Sequence, residues 1–313
     1  MRIAFNSRFK YVLMVFFCVM IWGTAYPAVR WLSLSGVNAY LIVCMRVLFS
    51  FLFSCLLLVF TRTKINVSQI KRNFWPFALL GICGSAGFLT LMTLGLQFTE
   101  AGKGSFLVGV NPIYIVLLSA LFLGESLNLR KLMGVLVAIV GVFFTLIGSD
   151  IVKGVPVTFS SSDFILILAG VLWATYTLLS RKFGHRLDYF QGLFLMFGIS
   201  SLVILPMFIK LWPEFTALSG KQLLWALWCG FMPGGFGYFL WNKGINVLGA
   251  STCGMINSFL AVFSTIFSVI FLHESMVWLQ LLGGALVVFG VLQGINNTSM
   301  PVNYETGRSV DEE

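Results

Sequence analysis

The stretch LGESLNLRKLMGVLVAIVGV, residues 123–142, returns 149 residues later as LHESMVWLQLLGGALVVFGV, residues 272–291. Glu125 falls on Glu274, Gly134 on Gly283 and Gly141 on Gly290. Glutamate and glycine at matched positions exceed what shared apolar composition would produce, so the chain reads as a duplication. Working outward, 94–112 (LGLQFTEAGKGSFLVGVNP) precedes 243–261 (KGINVLGASTCGMINSFLA) by the same 149 residues. IWGTAYPAVR, 21–30, pairs with LWATYTLLSR, 172–181, at 151, placing Trp22 on Trp173 and Arg30 on Arg181. Two residues missing between the second and third segments of the later copy account for the change of offset.

Composition supplies the solvent. The 313 residues are 58% hydrophobic and 10% charged, with a mean hydropathy of +0.95, far too apolar for a soluble chain of this length. A bilayer-spanning helix needs about 20 mainly apolar residues. Segments of that kind are read at 11–30, 39–60, 74–96, 104–123, 132–148, 164–180, 189–209, 223–241, 252–272 and 277–295. The first outlasts a signal-peptide core and ends in bulky residues, so it reads as a span rather than a cleaved leader. The expected fold class is therefore an all-α polytopic membrane protein, with ten transmembrane helices arranged as a 5+5 inverted repeat. An odd number of spans per copy forces the copies into opposite orientations. The expected division is a first repeat over 1–148, a linker over 149–163, a second repeat over 164–295 and a disordered cytoplasmic tail over 296–313.

The net charge of +9 suggests nucleic acid until the basic residues are placed. With the N-terminus cytoplasmic, fourteen of the 20 Lys and Arg fall on the cytoplasmic face and five (Arg30, Lys103, Lys153, Lys210, Lys221) on the other, leaving Arg46 inside a span. That is the positive-inside asymmetry, so both termini are expected in the cytoplasm and no nucleic-acid partner is expected. The six cysteines lie within apolar segments and form no C-x-x-C pair, and there are only two histidines. Neither a disulfide framework, a metal site nor a cofactor is expected. No G-x-S-x-G, H-E-x-x-H or P-loop is present, so an enzyme has no candidate constellation.

Inverted repeats of this kind hold substrate near the bilayer midplane, between the repeats. Trp22 and Tyr26, four apart, share a helix face that Gly23 and Pro27 leave room to bend. Trp173 and Tyr176 present a similar face from the second copy. The alternative for such residues is an interfacial aromatic belt, which suits Trp31 and Trp212 and stays open for Tyr26. Arg46 is the sharpest signal. An arginine at a span centre costs about 2.5–3.5 kcal/mol on insertion scales, so it faces protein or water, either paired with backbone carbonyls or meeting a carboxylate or phosphate. Its counterpart by the 151 offset is Phe197. Asn111, Tyr114 and Asn257, with Ser258, are polar groups in apolar spans that serve either helix-to-helix bonding or substrate. Tyr238, Trp241 and Asn242 add to them near the cytoplasmic end of the eighth segment. Glu125 and Glu274 are expected to order the turns they occupy.

WGTAYP in the first segment, GVLWATYTLLSRK in the sixth and the junctions LFLGESLNLRKLMG and IFLHESMVWLQLLG, in this order and duplicated, resemble the EamA-type branch of the drug/metabolite transporter superfamily. The match runs from residue 11 to 295. The resemblance implies a ten-helix 5+5 bundle and, most often, export of metabolites such as amino acids across the cell (inner) membrane. Gly23, Pro27 and Pro112 become Ala174, Leu178 and Ala261 in the second copy. Neutral, zwitterionic or anionic solutes are expected, since no acidic residue is read at midplane depth. The alternatives are an exchanger of nucleotide- or sugar-phosphate solutes and a receptor or assembly protein. Oligomeric state is not legible.

Overall fold

The computed structural model describes residues 2–98, 107–108, 110–125, 128–156, 161–273 and 275–295. Glu274, Lys103 and the 296–313 tail, all given roles above, lie outside them. Among the described residues the chain is helical throughout, with no strand. Eight helices are long and apolar enough to cross a membrane, and two shorter apolar helices lie at Asn111–Leu123 and Trp278–Gly294. This is the architecture of a polytopic membrane protein.

In chain order the first half holds α1 (Arg2–Leu34), α2 (Ala39–Thr61), α3 (Val67–Gly81), a π-helical turn (Ile82–Gly87) and α4 (Phe88–Phe98). It ends with α5 (Asn111–Leu123) and α6 (Leu129–Val152). The second half holds α7 (Ser161–Phe183), α8 (Tyr189–Lys210), the short α9 (Trp212–Thr216) and α10 (Gly220–Cys229). A second π-helical turn (Gly230–Phe236) leads into α11 (Gly237–Leu248), α12 (Ala250–Asn257), α13 (Phe259–Leu272) and α14 (Trp278–Ile295). Side-chain caps set the starts. Asn38 accepts from the Tyr40 amide and Asp188 from the Phe190 amide at the equivalent joint, and Ser219 with Gln222 closes a capping box on α10. Both Gly124 and His273, which end α5 and α13, take a left-handed conformation, with φ of 64° and 56°. Glycine does so freely, whereas histidine accepts strain to end its helix at the same place.

The repeat seen in sequence reappears as packing. α6 and α14 cross with glycine against backbone. A Cβ on Gly134 would sit 2.6 Å from the Gly290 carbonyl oxygen, and one on Gly141 2.6 Å from that of Gly283. Because rising numbers on α6 meet falling numbers on α14, the two helices run antiparallel. In lipid no hydrophobic drive brings helices together, so close backbone approach at small residues supplies the contact. Elsewhere α1 packs on α11 and α13 while α7 packs on α4 and α5, and α2 and α8 lie side by side.

The geometry corrects one sequence alignment. Ser50 Oγ lies 2.7 Å from the Arg46 carbonyl and 2.9 Å from that of Gly230. Ser200 Oγ lies 2.9 Å from the Met196 carbonyl and 3.0 Å from that of Gly81. The two serine joints are equivalent, so Arg46 corresponds to Met196 and not to Phe197. The offset is 150 through α2 and α8, as the caps Asn38 and Asp188 also require. One residue is lost in each of two successive loops rather than two together. Apolar helices carry too few landmarks for sequence alone to detect the step.

Candidate functional site

Helices α3–α4 and α10–α11 are each continuous rods interrupted by a π-turn, ICGSAG in one and GFMPGGF in the other. A π-turn shifts the carbonyl-to-amide register, and Pro233 has no amide to donate, so carbonyls there turn to other donors. Trp22 Nε1 donates to the Pro233 carbonyl at 2.7 Å, from the first half into the second. The Tyr238 hydroxyl donates to the Gly84 carbonyl, from the second half into the first. Glycine is needed at both contacts. A Cβ on Gly84 would fall 2.2 Å from the Tyr176 ring, and one on Gly237 2.5 Å from Trp22 Nε1.

Around these two bonds the aromatic residues converge. The Trp22 and Trp173 rings meet edge to face at 5.0 Å, and Trp22 lies 5.0 Å from Trp241 and 6.0 Å from Tyr238. Trp173 is 5.2 Å from Tyr176 and 4.9 Å from Phe88. On one side of this cluster is a cavity of about 50 Å³. That is room for about three to five waters at roughly 10–15 Å³ each. Its walls are Trp22, Ala25, Tyr26, Arg46, Phe88, Leu89, Met92, Val108, Asn111, Trp173, Pro233, Tyr238, Asn257 and Leu260.

Seven of the ten residues singled out from sequence thus share one cavity: Trp22, Tyr26, Arg46, Asn111, Trp173, Tyr238 and Asn257. Tyr26 belongs to it rather than to an interfacial belt, whereas Trp212 is exposed and stacks with Phe208 and Phe215. The other three stand behind the wall. Tyr176 is buried and donates to Asn242 Oδ1 at 2.9 Å, Trp241 is sealed beneath the two tryptophans, and Tyr114 packs on Gly170. Tyr238 lies deeper than expected because α11 continues to Leu248, with Arg181 donating to the carbonyls of Ile245 and Asn246 near its end. Phe88, Leu89, Met92, Pro233 and Leu260 were not singled out. Apolar residues in apolar spans carry no contrast, and only the glycine-rich runs flanking Phe88 and Pro233 could have marked them.

Some polar groups on the wall are spoken for, while Trp173 Nε1 and Asn257 Oδ1 are buried without a partner. Asn257 Nδ2 donates to Asn111 Oδ1 at 2.9 Å, bridging α12 and α5, so the helix-bonding role is real even as both residues line the cavity. Arg46 differs. It is 8% exposed, and its Nε and Nη1 are buried without a hydrogen-bond partner. Tyr26, Cys229 and Tyr238 lie within reach of its charge, and none of them is a carboxylate. Among the described residues no acidic side chain lines the wall with this cation.

Glu125 lies away from this site. Its carboxylate accepts from the amides of Ala250 at 2.9 Å and Ser251 at 3.0 Å, capping the start of α12 from the other half of the chain. Gly249, at φ +87°, makes room for it. Lys131 is buried within reach of the Glu125 charge. The turn-ordering role expected of Glu125 therefore takes the form of a cap across the halves. Among the described residues no group of three or more His, Cys, Asp or Glu could hold a metal ion.

The model of the EamA-like transporter family matches residues 9–147 and again 160–293. YyaM of Bacillus subtilis strain 168, named an uncharacterized transporter, is 28% identical over 257 residues, 80% of this chain and 82% of its own. A Streptantibioticus cattleyicolor protein named "Probable terminal-alkyne amino-acid exporter" is 22% identical over 275 residues, 88% of this chain and 89% of its own. One solved crystal structure, 19% identical, superposes with a TM-score of 0.76 over 91% of this chain and 95% of its own, a likeness of fold. With the family model matching once in each half, over the helices whose π-turns and tryptophans build the cavity, the chain belongs to the EamA-like transporter family and is a multi-pass membrane transporter.

Proposed function

We propose that this transporter exports small metabolites, amino acids or related neutral, zwitterionic or anionic compounds, by alternating access around the cavity between its halves. The reading takes the chain as ten spans in two inverted five-helix repeats, 1–148 and 164–295, joined by 149–163. The antiparallel glycine seam and the paired π-turns support it. It places the protein in the cell (inner) membrane with both termini cytoplasmic, on the strength of the basic-residue asymmetry. The observation that carries the site assignment is Arg46, a guanidinium with two buried unpartnered nitrogens on the wall of a cavity otherwise lined by aromatic, aliphatic and amide side chains. A guanidinium fork binds carboxylates with two parallel bonds. The name of the Streptantibioticus relative supports export of a carboxylate-bearing compound.

The test is flux through the purified protein in liposomes, with radiolabelled short-chain carboxylates, amino acids and their amides in parallel. Saturable flux of at least one of these solutes, lost on Arg46→Leu in a protein that still folds and inserts, is the expected result. Equal flux in the mutant would reduce Arg46 to a packing element. Orientation is read separately by cysteine labelling, with Ala217Cys reacting from outside and Ser68Cys not.

A further inference from the structure

We infer that the cavity takes small monocarboxylate anions, and that the carrier crosses its closed state only when one is bound, so that it works as an obligatory exchanger. The inference rests on the transport reading above and narrows its solutes to the anionic class, leaving out the neutral and zwitterionic ones named there. Among the described residues Arg46 is the single charged residue on the cavity wall, where no Asp, Glu, Lys or His is found. Its Nε and Nη1 are buried and donate to nothing among the described residues. Several other donors at the site are engaged elsewhere, Trp22 Nε1 by the Pro233 carbonyl, the Tyr238 hydroxyl by the Gly84 carbonyl and Asn257 Nδ2 by Asn111, while Trp173 Nε1, which carries no charge, is also buried without a partner. Among the described residues no acceptor is bonded to these two guanidinium nitrogens.

While the site is open to water, hydration offsets that charge. Alternating access requires a stage at which the site is sealed from both sides, and sealing removes the water. A cation left alone in a low-dielectric interior is strongly disfavoured, and pairing with an anion relieves it. The net charge of the sealed site then selects the cargo. Empty, or with a neutral amide, it holds +1. A zwitterionic amino acid also leaves +1, because its own charges cancel and the wall has no carboxylate for the ammonium. A dianion such as a phosphate monoester leaves −1. A monocarboxylate alone brings the site to zero, and its two oxygens match the guanidinium fork as a single-atom halide cannot. Asn257 Oδ1, buried and without a partner, offers an acceptor to a hydroxyl on the same solute. This makes L-lactate a suitable probe.

The experiment uses the full chain in liposomes in potassium sulfate with valinomycin clamping the potential, and follows entry of labelled L-lactate. Vesicles loaded with unlabelled lactate are expected to take up label at least about tenfold faster than vesicles holding sulfate alone. Internal chloride, L-alanine or propionamide is expected to give no such acceleration. Arg46→Gln should abolish the ratio and the thermal stabilisation of the detergent-purified protein by lactate. Arg46→Lys, which keeps the charge and loses the fork, should keep the requirement for internal lactate at a lower rate. Equal uptake into loaded and sulfate-only vesicles overturns obligatory exchange and leaves transport standing. Acceleration by alanine or propionamide as strong as by lactate overturns the charge argument, and acceleration by chloride overturns the carboxylate assignment. Stabilisation by lactate that Arg46→Gln removes, without any flux, upholds the anion site and sinks the transport reading instead. Neither stabilisation nor flux with lactate overturns the inference itself.

Discussion

The joint of α2 with the second π-turn and the joint of α8 with the first are built alike and furnished differently. Each has a serine bridging a helix carbonyl and the glycine carbonyl beside the π-turn, Ser50 to Gly230 and Ser200 to Gly81. Four residues before the serine, one joint has Arg46 on the cavity wall and the other has Met196, fully buried. Duplication therefore preserved the backbone contacts that hold the halves together. The side chains facing the cavity were free to diverge, because backbone packing does not depend on what they carry. Symmetry belongs to the scaffold and asymmetry to the site.

The largest effect should come from breaking the symmetric part. Gly141→Leu and Gly290→Leu are equivalent positions, and in both the new Cβ meets backbone, Val287 N at 2.5 Å and the Gly134 oxygen at 2.4 Å. Backbone cannot yield as a side chain can, so each should cost more than about 3 kcal/mol. Size-exclusion chromatography should find little monodisperse protein for either. If one is tolerated and the other is not, the seam is not symmetric.

Exchanging the furnishings comes next. Arg46→Met gives the first joint the residue of the second, and should fold normally while carboxylate flux falls at least about 100-fold, the equivalent of about 2.7 kcal/mol. Arg46→Lys should recover little of that exchange rate, because an ammonium lacks the fork. The reverse change, Met196→Arg, puts a cation at a fully buried position and should cost about 2.5–3.5 kcal/mol of stability. A stable, active Met196→Arg protein would show that either joint can host the charge.

Smaller effects sharpen the picture. Removing the Glu125 cap with Glu125→Ala leaves two amides at the start of α12 without their acceptor and should lower stability by about 0.5–2 kcal/mol, read as a drop in melting temperature. Smallest of all, Ser50→Ala and Ser200→Ala should each cost about 0.6 kcal/mol, and equally. Unequal losses would mean that the arginine strains its own joint.

Much of this was readable from the chain itself. The bilayer as solvent follows from composition, the duplication from Glu125, Gly134 and Gly141 recurring at one spacing, and the importance of Arg46 from the cost of a charge in an apolar span. Such features are legible because each is a local contrast against a uniform apolar background. Trp22 and Trp173 stand out for the same reason, as polar-edged aromatic rings at matched positions.

What only the tertiary structure decided are relations between segments distant in sequence. The π-turns come from registers that glycine permits without dictating. Phe88, Met92 and Leu260 reach the cavity wall because their helices happen to face it, and nothing in an apolar residue says which way a fully apolar helix turns. Tyr176 and Trp241, as conspicuous in sequence as Trp22, stand behind the wall because Trp173 and Trp22 occupy the space before them. The pairing of Arg46 with Met196 waited on two serine bonds to carbonyls more than a hundred residues away. Side-chain chemistry is encoded one residue at a time, whereas a cavity is the space left when ten apolar segments settle which of their faces can touch.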